Sequence, residues 1–188
     1  RMVAPEAFKP VLLEGVPLAG IAEEPHFRQE MKALRACLAS AQFFEAPLVR
    51  IYAFRRRGMV GLGNPSARDP EGGAFPSEMQ EKVAHALRLA CRKAEKAQVT
   101  LALENVRSCW GNSGHNTAQI VERVDSPWLQ VIWDPANSFV CGETPYPDGY
   151  RAVQPHICHV HLKDAVAEDA STGLTRWERI GDGSVRLG

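Results

Sequence analysis

The sequence predicts an α/β fold: a (β/α)8 barrel, of which this chain shows about five strands. Three observations lead there. Short apolar, β-prone runs alternate with helical patterns from end to end, which implies a parallel sheet with helical crossovers. Three of those runs end in a group able to bind a metal or move a proton: Glu104, Asp134 and His161. These groups lie 30 and then 27 residues apart, about one strand-plus-helix unit. Consecutive parallel strands would deliver them to the same end of a sheet.

Two architectures share that alternation. A doubly wound sheet would carry a glycine-rich phosphate turn after an early strand. The chain has no such motif, and Gly61-Leu62-Gly63 lacks the rest of it. A barrel builds its site at the C-terminal strand ends, from several strands, as the three groups require. A barrel takes about 250 residues, and the chain has 188. One further strand before Arg1 and one or more after Gly188 are therefore expected. Residues 1–188 are read as a single, partial domain.

Residues 1–15 are mixed and contain proline, and read as the frayed end of an element. Residues 16–22 are short and apolar and are expected to form a strand, with Pro17 near its start. Residues 25–43 form a helix, with Phe27, Met31, Leu34, Leu38 and Ala41 on one stripe. Residues 48–54 are rich in β-formers and give the next strand. Residues 55–76 form a long loop with Arg55, Arg56, Arg57 and five glycines; loops of that length are usually functional or disordered. Ser77 and Gln80 form a capping-box pattern before a helix whose buried face is Met79, Val83, Leu87, Ala90 and Ala94. Its charged face reads as solvated surface.

Residues 99–104 are a strand, followed by a loop over 105–115 that holds Trp110 and His115. Asn116 with Gln119 marks another helix start, with Ala118, Val121 and Val124 on its apolar side. Residues 128–134 are a strand, 135–149 a loop and 150–153 a short helix. Residues 157–163 are the last clear strand. Residues 165–188 are polar, with Trp177 and the turn Gly181-Asp182-Gly183.

The composition is ordinary for a globular chain, with 45% hydrophobic and 23% charged residues. Twenty-two basic residues balance 22 acidic ones, which argues against nucleic acid or a membrane surface as a partner. No apolar run reaches the roughly 20 residues of a membrane helix, and no secretory signal is visible. The five cysteines are odd in number, irregularly spaced and never in a Cys-x-x-Cys pair. That disfavours a disulfide framework or a zinc ribbon and favours the reducing cytoplasm.

Two carboxylates and an imidazole suit a borderline divalent ion such as Mn²⁺, Co²⁺, Zn²⁺ or Mg²⁺. His159 and His161 alternate by two and point to one face of a strand. His161, nearer the strand end, is the expected ligand, and His159 is as readily a hydrogen-bonded core histidine. Lys163 shares that face and could meet an anionic substrate, while Asp164 could orient the following segment. Arg55 to Arg57 could hold a phosphate or carboxylate, or simply be a solvated loop. Trp110, Trp133 and Trp177 could stack on a sugar ring, and Trp133 could equally be barrel core.

Four blocks carry a family resemblance. Leu103-Glu104-Asn105, Trp133-Asp134-Pro135-Ala136-Asn137, His159-Val160-His161-Leu162-Lys163-Asp164 and Gly181-Asp182-Gly183 resemble, in order, the sugar phosphate isomerase/epimerase family. That family has the xylose isomerase-like barrel and is related to endonuclease IV. The resemblance spans about residues 16–188. It implies one divalent metal, Mn²⁺ first among the candidates, held by Glu, Asp, His and a second Glu. The first three match Glu104, Asp134 and His161; the second Glu is expected beyond Gly188. The implied reaction is isomerisation or epimerisation of a sugar, sugar phosphate or keto-polyol by proton transfer through a metal-stabilised enediolate, with Glu104 as a catalytic group. Asn137, Lys163, Trp110, His115 and Arg55 are the candidate substrate contacts.

Many members carry His where this chain has Asn137, which weakens any second metal. The endonuclease branch uses further His ligands, yet residues 48–54 hold no His and no Asp-x-His follows Asp164. A three-zinc nuclease is therefore disfavoured. A dehydratase or hydrolase on the same metal platform, and a silent sugar-binding barrel, are the alternatives. The expected partner is a small sugar or sugar phosphate, and the chain leaves a homo-oligomer open.

Overall fold

The structure is a computed structural model, and it describes residues 1–8, 11–57, 75–169 and 174–187. Five parallel strands form one sheet in the order β1-β2-β3-β4-β5: β1 Met2–Ala7, β2 Leu48–Ile51, β3 Thr100–Glu104, β4 Leu129–Trp133 and β5 Ile157–Val160. The order never reverses. Right-handed crossovers then place every connecting helix on the same face, as in a barrel and unlike a doubly wound sheet. Among the described residues β1 and β5 are the two edges of the sheet, so the barrel wall stays open.

Helix α1 (Pro25–Phe43) joins β1 to β2, α2 (Ser77–Ala97) joins β2 to β3, and α3 (Gly114–Val124) joins β3 to β4. The expected stripe holds in α1, where Phe27, Leu34, Leu38 and Ala41 are buried. In α2 the buried face is Met79, Val83, Leu87, Ala90, Ala94 and their neighbours. These helices cover one sheet face, and the core between them includes Val49, Ile51, Leu101, Leu103, Val131 and Trp133. No helix among the described residues is long and apolar enough to cross a membrane. All five cysteines are free thiols.

Several expectations change. Residues 16–22 are not a strand: a 3-10 turn spans Leu18–Glu23, with Gly20 N–H bonded to Pro17 O at 2.9 Å. The first strand is Met2–Ala7 instead. Its Pro5 falls where the β1–β2 register shifts between Val3 and Ala7, a position at which the ladder asks no N–H of it. Ser77 does not cap α2; Pro76 holds that position, and Gln80 Nε2 bonds back to Phe75 O at 2.7 Å. Ser113, not Asn116, caps α3, its side chain accepting from Asn116 N–H at 3.2 Å. The segment after β4 is not simply a loop. It contains α4 (Pro135–Val140), a π-turn over Pro145–Gly149 and then α5 (Tyr150–Val153).

The polar segment after β5 is a β-hairpin, β6 (Asp164–Asp169) pairing antiparallel with β7 (Leu174–Glu178). A small second cluster of Ala136, Ala165 and Val185 holds it against α4. The stretch 58–74 of the expected long loop lies outside the described residues.

Candidate metal centre

The sheet register brings the site together. Glu104 pairs with Ile132, and Ile132 with His159, so these three share one row on one face. Alternation then puts Asp134 and His161 on that same face, two residues further on. A bulge in β5 between the partners of Val131 and Ile132 absorbs Cys158 and sets this phase. Beyond β5, His161 N–H still reaches Trp133 O at 3.0 Å.

The ligand atoms of Glu104, Asp134 and His161 all lie within 4.8 Å of one another. His161 Nδ1 is 3.1 Å from Glu104 Oε1 and 4.0 Å from Asp134 Oδ2. Two ligands about 2.1 Å from one ion can be at most about 4.2 Å apart. The three groups therefore fit a common divalent ion after a shift of roughly half an ångström. Asp134 Oδ2 is buried and accepts no aligned hydrogen bond. It faces the Lys163 ammonium at 2.9 Å, an ion pair without hydrogen-bond alignment. A buried carboxylate oxygen left short of donors is what a metal ligand needs.

Each group is held locally. Asp134 caps α4: its Oδ1 accepts from Asn137 N–H at 3.0 Å, with Pro135 in the first turn. Asn105, fully buried, ties the end of β3 to the end of β4. Its Oδ1 accepts from Asp134 N–H at 2.8 Å and its Nδ2 donates to Asp134 O at 2.9 Å. Asn137 Nδ2 returns a bond to Asn105 O at 2.7 Å, and Asn137 Oδ1 accepts from Lys163 Nζ at 2.9 Å. Asn137 and Lys163 thus adjoin the trio.

Burial pushes the Asp134 carboxyl above the usual carboxylate range, and the charge of Glu104 adds to it. Lys163 and the Asn137 N–H pull the other way without cancelling it. Asp164 behaves oppositely. Burial works against its charge, but N–H groups of Gly181, Val185, Ala165 and Gly183 together hold its carboxyl below the usual range. Asp164 thereby fastens the Gly181-Asp182-Gly183 turn beneath the hairpin. A Cβ on Gly183 would overlap the Asp164 carboxylate.

Trp110 is in the core, stacked on Phe75 at 5.4 Å with the Arg56 guanidinium 4.8 Å from its ring centre. Trp133 is also core. Trp177 is 54% exposed on β7, with Lys163 Nζ 4.9 Å from its ring centre. His115 pairs with Glu143 at the start of α3, Nδ1 to Oε1 at 2.5 Å. The backbone of Arg55 bridges Leu12 and Cys109, and its N–H bonds Val11 O at 2.8 Å. His159 is exposed on β5, its ring edge-on to His161 at 5.4 Å.

Sequence reasoning missed two participants. Asn105 stands beside Glu104 in the sequence with nothing to mark its bonds to Asp134. Arg50, inside β2, meets Glu104 Oε2 through Nη1 at 3.3 Å. An arginine interrupting an apolar strand was the available signal for it.

A model of the xylose isomerase-like TIM barrel family matches residues 8–188. The chain belongs to that family. Among solved structures, this barrel superposes on the probable 3-DHS dehydratase AsbF from Bacillus anthracis with TM-score 0.69 and 16% identity, over 98% of this chain and 62% of that one. A D-tagatose 3-epimerase-like protein gives 0.66 and 17%, over 98% and 62%. A xylose isomerase-like barrel from Mycobacterium smegmatis in complex with magnesium gives 0.61 and 15%, over 86% and 55%. At such identities the likeness is one of fold. The chain spans 62% of the length of the first two. No curated protein sequence matches it.

Proposed function

We propose that this chain carries the metal-binding part of a sugar isomerase or epimerase, with Glu104, Asp134 and His161 as ligands. The observation that carries the reading is the clustering of their ligand atoms within 4.8 Å on one face of three adjacent strands. A divalent ion held there, Mn²⁺ by preference, would polarise a substrate carbonyl and its neighbouring hydroxyl and stabilise negative charge on them. Glu104, buried with Oε1 toward His161, moves the proton at the carbon beside that carbonyl. Asp134, fixed by Asn105 and the start of α4, is the rigid corner. Lys163 and Asn137 contact the substrate's hydroxyl or anionic groups. The substrate is a small sugar or sugar phosphate, met in the cytoplasm. Trp110 has a packing role in this reading.

A dehydratase is the second reading, supported by the AsbF likeness. It starts with the same proton removal and then expels water. Both are tested by incubating the Mn²⁺-loaded protein with a panel of ketoses and ketose phosphates in D₂O. Deuterium entering beside the carbonyl, with a new aldose or epimer, is the expected result. Loss of water instead selects the dehydratase. Neither exchange nor product across the panel overturns both. Glu104→Gln should lower the rate by about 10² to 10⁴.

A further inference from the structure

We infer that Arg50 is the positioning residue for Glu104, taking one carboxylate oxygen so that the other faces Asp134 and His161. The inference rests on the metal-site reading above. Arg50 pairs in register with Ala102, two residues before Glu104, so it lies on the face that carries the site. Its Nη1 meets Glu104 Oε2 at 3.3 Å. Its Nη2 donates to Ala4 O at 3.2 Å and its Nε to Pro5 O at 3.4 Å, while the guanidinium carbon sits 5.2 Å from the Tyr52 ring centre. Two of these partners are main-chain carbonyls of β1. The guanidinium is thus anchored to the sheet, not to another mobile side chain.

Glu104 is buried, and its other oxygen, Oε1, stands 3.1 Å from His161 Nδ1. Each oxygen has its own neighbour, so turning the carboxylate breaks both contacts. Without Arg50, Oε2 would be a desolvated charge lacking that partner. The result is a glutamate that offers one fixed oxygen to an ion. A lysine cannot copy this, because one point charge cannot reach a carboxylate and two carbonyls in the geometry of a planar fork.

The test is Mn²⁺ titration by calorimetry of the wild type, Arg50→Gln and Arg50→Lys, with circular dichroism and melting of each. Arg50→Gln should bind Mn²⁺ about 10- to 100-fold more weakly, with Arg50→Lys between. A folded Arg50→Gln with wild-type Mn²⁺ affinity and only a lower melting point overturns the inference: Arg50 would then be structural alone. Tighter Mn²⁺ binding also overturns it, since Arg50 would merely compete with the ion. Should Arg50→Gln fail to fold, Arg50→Lys decides, and an affinity within threefold of wild type overturns the proposal. A wild type that binds no Mn²⁺ overturns the metal reading and this inference with it.

Discussion

Asp164 illustrates how much one side chain can organise. Its two oxygens accept from Ala165 and Val185 on one side and from Gly181 and Gly183 on the other. Its folded pKa is depressed below the unfolded value of about 3.9. The stability it contributes is therefore fully present above that value and is lost as pH falls through the folded pKa. Urea midpoints of the wild type should fall on acidification below about pH 4, and those of Asp164→Asn should fall less steeply. Parallel slopes for the two proteins would refute the assignment. Residue by residue, the site was partly legible. Glu104, Asp134 and His161 stood at strand ends with unit spacing, and Asn137 and Lys163 were adjacent to them. The bonds of Asn105 and the role of Arg50 were not legible, because both depend on which strand lies beside which.

At the scale of elements, strands flanked by strong helices were the easiest to read and the margins of the sheet the hardest. Met2–Ala7 contains Pro5 and no clear alternation, and its pairing with β2 shifts register between Val3 and Ala7, where Pro5 lies. The 16–22 run was apolar enough for a strand, but Pro17 and the tight turn at Gly20 close it into a 3-10 element. The hairpin β6–β7 was hidden because its strands are largely polar. Close packing between elements also makes a prediction. A Cβ on Gly114 would meet the backbone of Gly149, with Cα at 2.7 Å and C at 2.8 Å. Gly114→Ala should push α3 from the Pro145–Gly149 turn and destabilise by about 1–3 kcal/mol. Gly20→Ala, where the new Cβ would meet only Pro17 Cδ at 3.8 Å, is the control. Urea unfolding of the two variants measures the difference.

For the molecule as a whole, the candidate ligands come from three adjacent strands, so an ion bound there would tie the sheet together. Saturating Mn²⁺ should raise the melting temperature of the wild type. A ligand at 100 times its Kd adds about 2.7 kcal/mol, and Asp134→Ala should abolish that gain. Differential scanning fluorimetry with and without Mn²⁺ reads it directly; equal shifts in both proteins would place the ion elsewhere. The segregation of faces explains why the sheet can carry such a site. Val49, Ile51, Leu101 and Leu103 secure the helix side, which leaves the opposite face free to hold Arg50, Glu104, Asp134, His159 and His161.

By itself the sequence determined the alternation of strands and helices, the barrel family and the three strand-end groups. Those depend on local periodicity and on spacing along the chain, and both are readable in one dimension. The tertiary structure alone decided which strand opens the sheet, how the β5 bulge phases His161, and which side chains meet. Trp110 and His115 show the difference. Their residue types suited a sugar site, and only the fold shows Trp110 stacked on Phe75 and His115 paired with Glu143. Contacts between residues dozens of positions apart follow from register and packing, and neither is written into any short stretch of chain.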